Sequence, residues 1–140
     1  METLNVSREG RVARVTLNRP DVRNAFNDQV VTELTQVFRE MDAEVQVVVL
    51  EGVGKSFCAG ADLNWMKKSA TYTQEQNAED ARVMLGLFDT IDSFPGVVIG
   101  RVHGAALGGG VGLVSCCDIV VATEVYKDYQ VLEDHFKTAQ

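Results

Sequence analysis

Three short apolar runs restrict this chain to very few architectures. VQVVVLEG, VVIGRV and CDIVVA are continuous stretches of strand length, rich in valine and isoleucine. That is the pattern of strands buried on both faces of a sheet. Gln74 to Phe94 lies between the first two runs and reads as a long helix, with Ala81, Met84, Leu85, Phe88 and Ile91 on one stripe and Pro95-Gly96 as its stop. A shorter helix around Val111 to Cys116 separates the second run from the third. Strands that alternate with helices need right-handed crossovers and pair in parallel. Upstream, Leu4, Val6, Val12, Val15 and Leu17 alternate around Glu9-Gly10 as a hairpin. Asn27 is placed to cap a helix whose apolar face is Val30, Leu34, Val37, Phe38 and Met41. The predicted class is α/β with a mostly parallel sheet.

At 140 residues the chain makes one domain with a core of useful size. Its net charge of −7 argues against a nucleic-acid partner, because phosphate binding needs a basic stripe. The N-terminus lacks a long apolar signal core and no window approaches a membrane span, so a soluble, cytoplasmic protein with no membrane partner is expected. The three cysteines show no C-x-x-C spacing and read as reduced, packed thiols, with no metal site expected.

One unit recurs, at residues 46–66 and again at 97–116: an apolar strand, a loop of small residues, and a helix start. Neither loop is a nucleotide cradle. In GVGKSF the glycine needed five positions before Gly54 is Val49, and in GGGVG the third glycine of a dinucleotide fingerprint would fall on Leu113. His103 has no Ser, Cys or carboxylate partner at a recognisable spacing and reads as structural. Asp62 lies where a helix cap is wanted, Asp118 sits at a strand edge, and Trp65-Met66 reads as core or pocket lining. The loops themselves leave two readings open. They are tight packing turns, or their unpaired helix-start N–H groups converge on one oxygen, with small residues permitting close approach.

SFCAGADLNWM (56–66) and RVHGAALGGGVGLVSCCDIVVATE (101–124) resemble the two signature regions of the crotonase, or enoyl-CoA hydratase/isomerase, superfamily. LNRPDVRNAFN (17–27) resembles its early coenzyme A-binding loop. The Asp-Leu-Asn-Trp-Met run is most similar to the methylglutaconyl-CoA and carboxygeranoyl-CoA hydratase branch. The resemblance implies a spiral of ββα turns, assembled as a homo-oligomer (trimer or hexamer), acting on acyl-CoA. It implies backbone oxyanion donors at Ala61 and Gly109. Coenzyme A would be held by Arg23, Asn24, Ala25, Ala59, Asp62 and Leu63, as the carrier of the acyl group; no separate cofactor is implied.

Two departures shape the expected activity. Many hydratases carry a glutamate three residues after the second oxyanion donor, and here that position is Gly112. The branch just named often lacks that acid and relies on one further downstream; an ungapped extension puts that position at Leu132, so Glu133, one residue out of register, is the candidate acid/base. Residues 125–140 no longer resemble the family, and its C-terminal helical region is absent. The expectation is a truncated crotonase-like core over 1–124 followed by a divergent segment. It would bind a branched or carboxylated 2-enoyl-CoA and be weakly active or inactive by itself. The alternative is a non-catalytic acyl-CoA-binding or assembly module.

Overall fold

The computed structural model describes residues 1–123. Strands β1 (Leu4–Glu9) and β2 (Val12–Leu17) form the expected antiparallel hairpin. Strands β3 (Val47–Gly52), β4 (Val97–Val102) and β5 (Ile119–Ala122) then add in parallel, giving a five-stranded sheet in chain order. The crossovers carry helices α1 (Asp28–Arg39), α2 (Leu63–Ser69), α3 (Gln74–Asp92) and α4 (Gly109–Ser115). The local chemistry explains where they start. The Asn27 side chain accepts the N–H of Val30 at 2.9 Å. Thr73 and Gln76 form a reciprocal capping box at the start of α3.

The core lies on one face of the sheet. Ala13, Val15, Val48, Leu50 and Val98 share that face by register and are buried. Val30, Leu34 and Phe38 of α1 and Leu87 and Ile91 of α3 join them in the same cluster. Each fully buried Leu, Ile or Phe contributes roughly 1.5–3 kcal/mol relative to exposure. Phe38 and Phe94 close the far end edge to face, with ring centroids 5.9 Å apart.

The other face corrects the expectation of strands buried on both sides. Val47 and Val49 are only half-buried, and Ile119 and Val121 are 52% and 58% exposed. The register aligns Arg14, Val49, Ile99 and Ile119 in one row across this face. Its charged end is an ion-pair cluster in which Glu51 meets Arg14 at 3.5 Å and Arg101 at 3.2 Å. The apolar runs are thus patterned for a second covering layer that the described residues do not supply.

Candidate active site

The loop after β2 is built around a buried asparagine. The Asn24 side chain accepts the N–H of Arg19 at 2.8 Å and donates to the carbonyls of Val53 at 2.8 Å and Ser56 at 2.9 Å. Asn24 is 1% exposed, and its amide is taken up in positioning the loop. Arg23 and Asn24 both adopt left-handed backbone, with φ of 54° and 56°. Arg19, which sequence reasoning did not single out, donates to the Ala25 carbonyl and, at 3.1 Å, to the Asp62 carboxylate.

Asp62 caps α2, as its position in the sequence suggests. Its Oδ1 accepts the N–H groups of Asn64 at 2.8 Å and Trp65 at 3.2 Å, while Oδ2 meets Arg19. Burial works to raise the carboxyl pKa, but the Trp65 N–H, the Arg19 guanidinium and the Asn64 N–H outweigh it and hold Asp62 below the usual carboxylate range.

Two isolated parallel bridges bring the small-residue loops together. Phe26 donates to the Gly60 carbonyl and Asp62 donates to the Phe26 carbonyl, both at 2.7 Å. In a parallel bridge of this kind the residue between the two partners, Ala61, turns its own N–H away from Phe26. Cys58 is held in the same manner, donating to the Ala105 carbonyl at 3.1 Å and accepting from Leu107 at 3.0 Å. Each candidate donor follows a glycine of positive φ, Gly60 at 94° and Gly108 at 51°. A Cβ on Gly60 would stand 3.1 Å from the Leu107 carbonyl oxygen. Gly109 opens α4, so its N–H is an orphan of the helix start. Among the described residues, neither the Ala61 nor the Gly109 N–H has an acceptor.

Ala61 borders two cavities. One, about 480 Å³, is lined by Asp21, Val22, Arg23, Ala25, Ala59, Ala61, Asp62, Leu63, Asn64 and Lys67. It therefore gathers every coenzyme-binding residue expected from the sequence except Asn24. The other, about 380 Å³, lies between α2 and α3 and is lined by Ala61, Trp65, Met66, Ser69, Asn77, Asp80, Ala81 and Met84. The Met84 Cε lies 3.8 Å from where a Cβ on Gly109 would stand, which ties this second cavity to the second candidate donor. Asn77, Asp80, Ala81 and Met84 were legible as one helical face by their three- and four-residue spacing, although the polar pair drew no notice in the sequence.

The missing glutamate has a structural counterpart. A Cβ on Gly112 would stand 2.5 Å from Cζ of Phe88, so the aromatic ring fills the room a side chain would need. Leu132 and Glu133 lie outside the described residues. His103 lies outside both cavities and bonds the Gly54 carbonyl at 2.7 Å, consistent with its structural reading. Cys58 is buried, and burial pushes its thiol pKa up; all three cysteines are free. No metal-ligand cluster occurs among the described residues, and no described helix is long and apolar enough to cross a membrane.

A family model described as enoyl-CoA hydratase/isomerase matches residues 7–131. The short-chain-enoyl-CoA hydratase of Clostridium acetobutylicum is 41% identical over 132 residues, covering 88% of this chain and 48% of that protein. The human mitochondrial Delta(3,5)-Delta(2,4)-dienoyl-CoA isomerase is 38% identical over 131 residues, covering 84% of this chain and 39% of that protein. Among solved structures, an enoyl-CoA hydratase from Shewanella pealeana superposes with a TM-score of 0.84 at 41% identity, covering 86% of this chain and 46% of that one. The chain thus spans about half the length of such relatives or less. A hydratase and an isomerase both stand among them, so the likeness identifies the family and not one branch of it.

Proposed function

Because this chain belongs to the enoyl-CoA hydratase/isomerase family, we propose that it binds an acyl-CoA thioester across Ala61, with coenzyme A in the cavity of Arg23 and Lys67 and the acyl group in the cavity of Trp65 and Met84. The observation that supports this reading is the position of Ala61. Its N–H lacks an acceptor among the described residues, it borders both cavities, and the backbone before it touches the backbone before Gly109. A thioester carbonyl at that junction would accept two preorganised N–H groups. Arg23 and Lys67 supply the positive charge that coenzyme phosphates require.

The chemistry such a cradle favours is addition to a 2-enoyl thioester. As water oxygen bonds to the β-carbon, the double-bond electrons move toward the thioester and its oxygen gains negative charge. The Ala61 and Gly109 N–H groups would stabilise that enolate, each donor contributing about 3–4 kcal/mol by analogy with other oxyanion holes. Deprotonating the water and protonating the α-carbon need an acid/base, and proton transfer contributes roughly 10²–10⁴-fold. Gly112 offers none, and Phe88 fills its surroundings. We therefore assign the chain a hydratase ancestry on branched or carboxylated 2-enoyl-CoA, with weak or no turnover by itself, and assembly as a homo-oligomer. The same Phe88 packing favours, as the second reading, a module that binds acyl-CoA without turning it over.

Calorimetry with a saturated acyl-CoA and turnover of both a neutral branched 2-enoyl-CoA and 3-methylglutaconyl-CoA test the proposal together. Binding with slow or absent turnover is the expected result. Family-like turnover would overturn the weak-activity reading, and absence of acyl-CoA binding would overturn the assignment itself.

A further inference from the structure

The cavity between α2 and α3 carries a charge that the acyl group must face. Trp65, Met66 and Met84 make it largely apolar, and its polar residues are Ser69 on α2 and Asn77 and Asp80, three apart on α3. Asp80 is half-buried there. The lining includes no lysine, arginine or histidine. Among the described residues, no ion pair involves Asp80. The coenzyme cavity on the other side of Ala61 differs in holding both signs, Arg23 and Lys67 together with Asp21 and Asp62. Carboxylates line both cavities, but cations line only the coenzyme side, so Asp80 has no cation beside it in the acyl cavity.

We propose that Asp80 makes this site selective for acyl groups without charge, rejecting those that end in a carboxylate. The inference rests on the acyl-CoA reading above and narrows its substrate class from branched or carboxylated to neutral. Two physical effects act in the same direction. A terminal carboxylate entering among Trp65, Met66 and Met84 loses hydration with no cation to replace it. It also meets a like charge, and such juxtaposition works against binding of the wrong partner. A neutral branched or straight acyl chain suffers neither penalty and gains contact with the apolar walls.

The test is calorimetric titration of the chain with butyryl-CoA and succinyl-CoA, matched thioesters that differ in one terminal carboxylate. Butyryl-CoA should bind at least about tenfold more tightly, equivalent to about 1.4 kcal/mol. In Asp80→Asn the ratio should fall to about threefold, because repulsion is gone and desolvation remains. An unchanged far-UV circular dichroism spectrum and urea midpoint show that the variant is folded. With the unaltered chain, raising salt should narrow the ratio, since screening shortens the reach of the repulsion. Equal affinities for the two thioesters, or a ratio unmoved by both Asp80→Asn and salt, would overturn the selectivity. Failure of both ligands to bind would instead overturn the acyl-CoA reading on which it rests.

Discussion

Gly60 and Gly108 meet backbone to backbone: a Cβ on Gly108 would stand 3.7 Å from the Cα of Gly60. They come from different crossovers of the sheet, and each immediately precedes one of the two peptide N–H groups assigned to the thioester oxygen. Both have positive φ, which a side chain tolerates poorly. Gly60→Ala should therefore do two things. It should lower stability by about 1–3 kcal/mol, because alanine is strained at φ 94° and crowds the Leu107 carbonyl. It should also weaken acyl-CoA binding by at least about tenfold, since the two N–H groups can no longer converge. Urea unfolding and calorimetry on the same preparation separate the two effects. Undiminished binding by a folded Gly60→Ala protein would remove the pair from the site.

Placing at position 112 the glutamate that the resemblance leads one to expect in many hydratases should fail unless Phe88 is removed as well. Gly112→Glu places its Cβ against the Phe88 ring, so the single variant should lose about 1–3 kcal/mol of stability through overpacking. Phe88→Ala alone should cost about 3–5 kcal/mol if the half-buried ring is treated as core, and less where the site can collapse. The double variant should be more stable than the sum of the two losses predicts, by at least about 1 kcal/mol. If the glutamate then reaches the substrate, hydration should rise in the double variant and not in Gly112→Glu. Additive stabilities would show that Phe88 does not occupy the space in question.

Asp62 should make stability depend on pH in a defined direction. Its folded pKa lies below the ordinary value of 3.8, so the unfolded chain takes up the proton first as pH falls. The stabilisation is present above that ordinary value and is lost as pH falls through the lower folded value. Asp62→Ala removes a helix cap and leaves Arg19 without its carboxylate partner, a combined loss of about 2–3 kcal/mol near neutrality. The difference from the unaltered chain should shrink below about pH 4, where the carboxylate itself is being neutralised. Chemical denaturation at several pH values measures both. A difference that stays constant to low pH would remove the carboxylate charge as its source.

Much of this fold was legible in the sequence because its signals are local. The hairpin turn, the Asn27 cap, the Pro95 stop and the period of each apolar stripe all act within a few residues. The paired small-residue loops were legible for the same reason, and they do come together through the Cys58–Ala106 bridge. What was hidden depends on contacts distant in sequence. That the Asn24 amide holds the Val53 and Ser56 carbonyls is invisible locally, because those partners lie about thirty residues away. Phe88 looked like ordinary core until the helices placed it against Gly112. Asp80 was one charge on an exposed-looking helix until α2 folded across to make a cavity of it.

The sheet face that the described residues leave uncovered should drive self-association through a second copy of the chain. Val49, Ile99 and Ile119 form a continuous row there, with Val47 and Val97 beside it. Val97 and Ile119 are exposed, and Val121 lies on the same face of β5. A patch of this kind is larger than scattered surface apolar residues require and marks an interaction surface. It agrees with the homo-oligomer proposed above. Ile119→Lys puts a charge into that row at an exposed position, where the folded chain can accommodate it in water. Light scattering across a range of concentrations should give a mass above that of one chain for the unaltered protein and a lower mass for Ile119→Lys, with unchanged far-UV circular dichroism. A monomer at every concentration in the unaltered protein would sink the idea. An Ile119→Lys oligomer of undiminished stability would move the interface to another face.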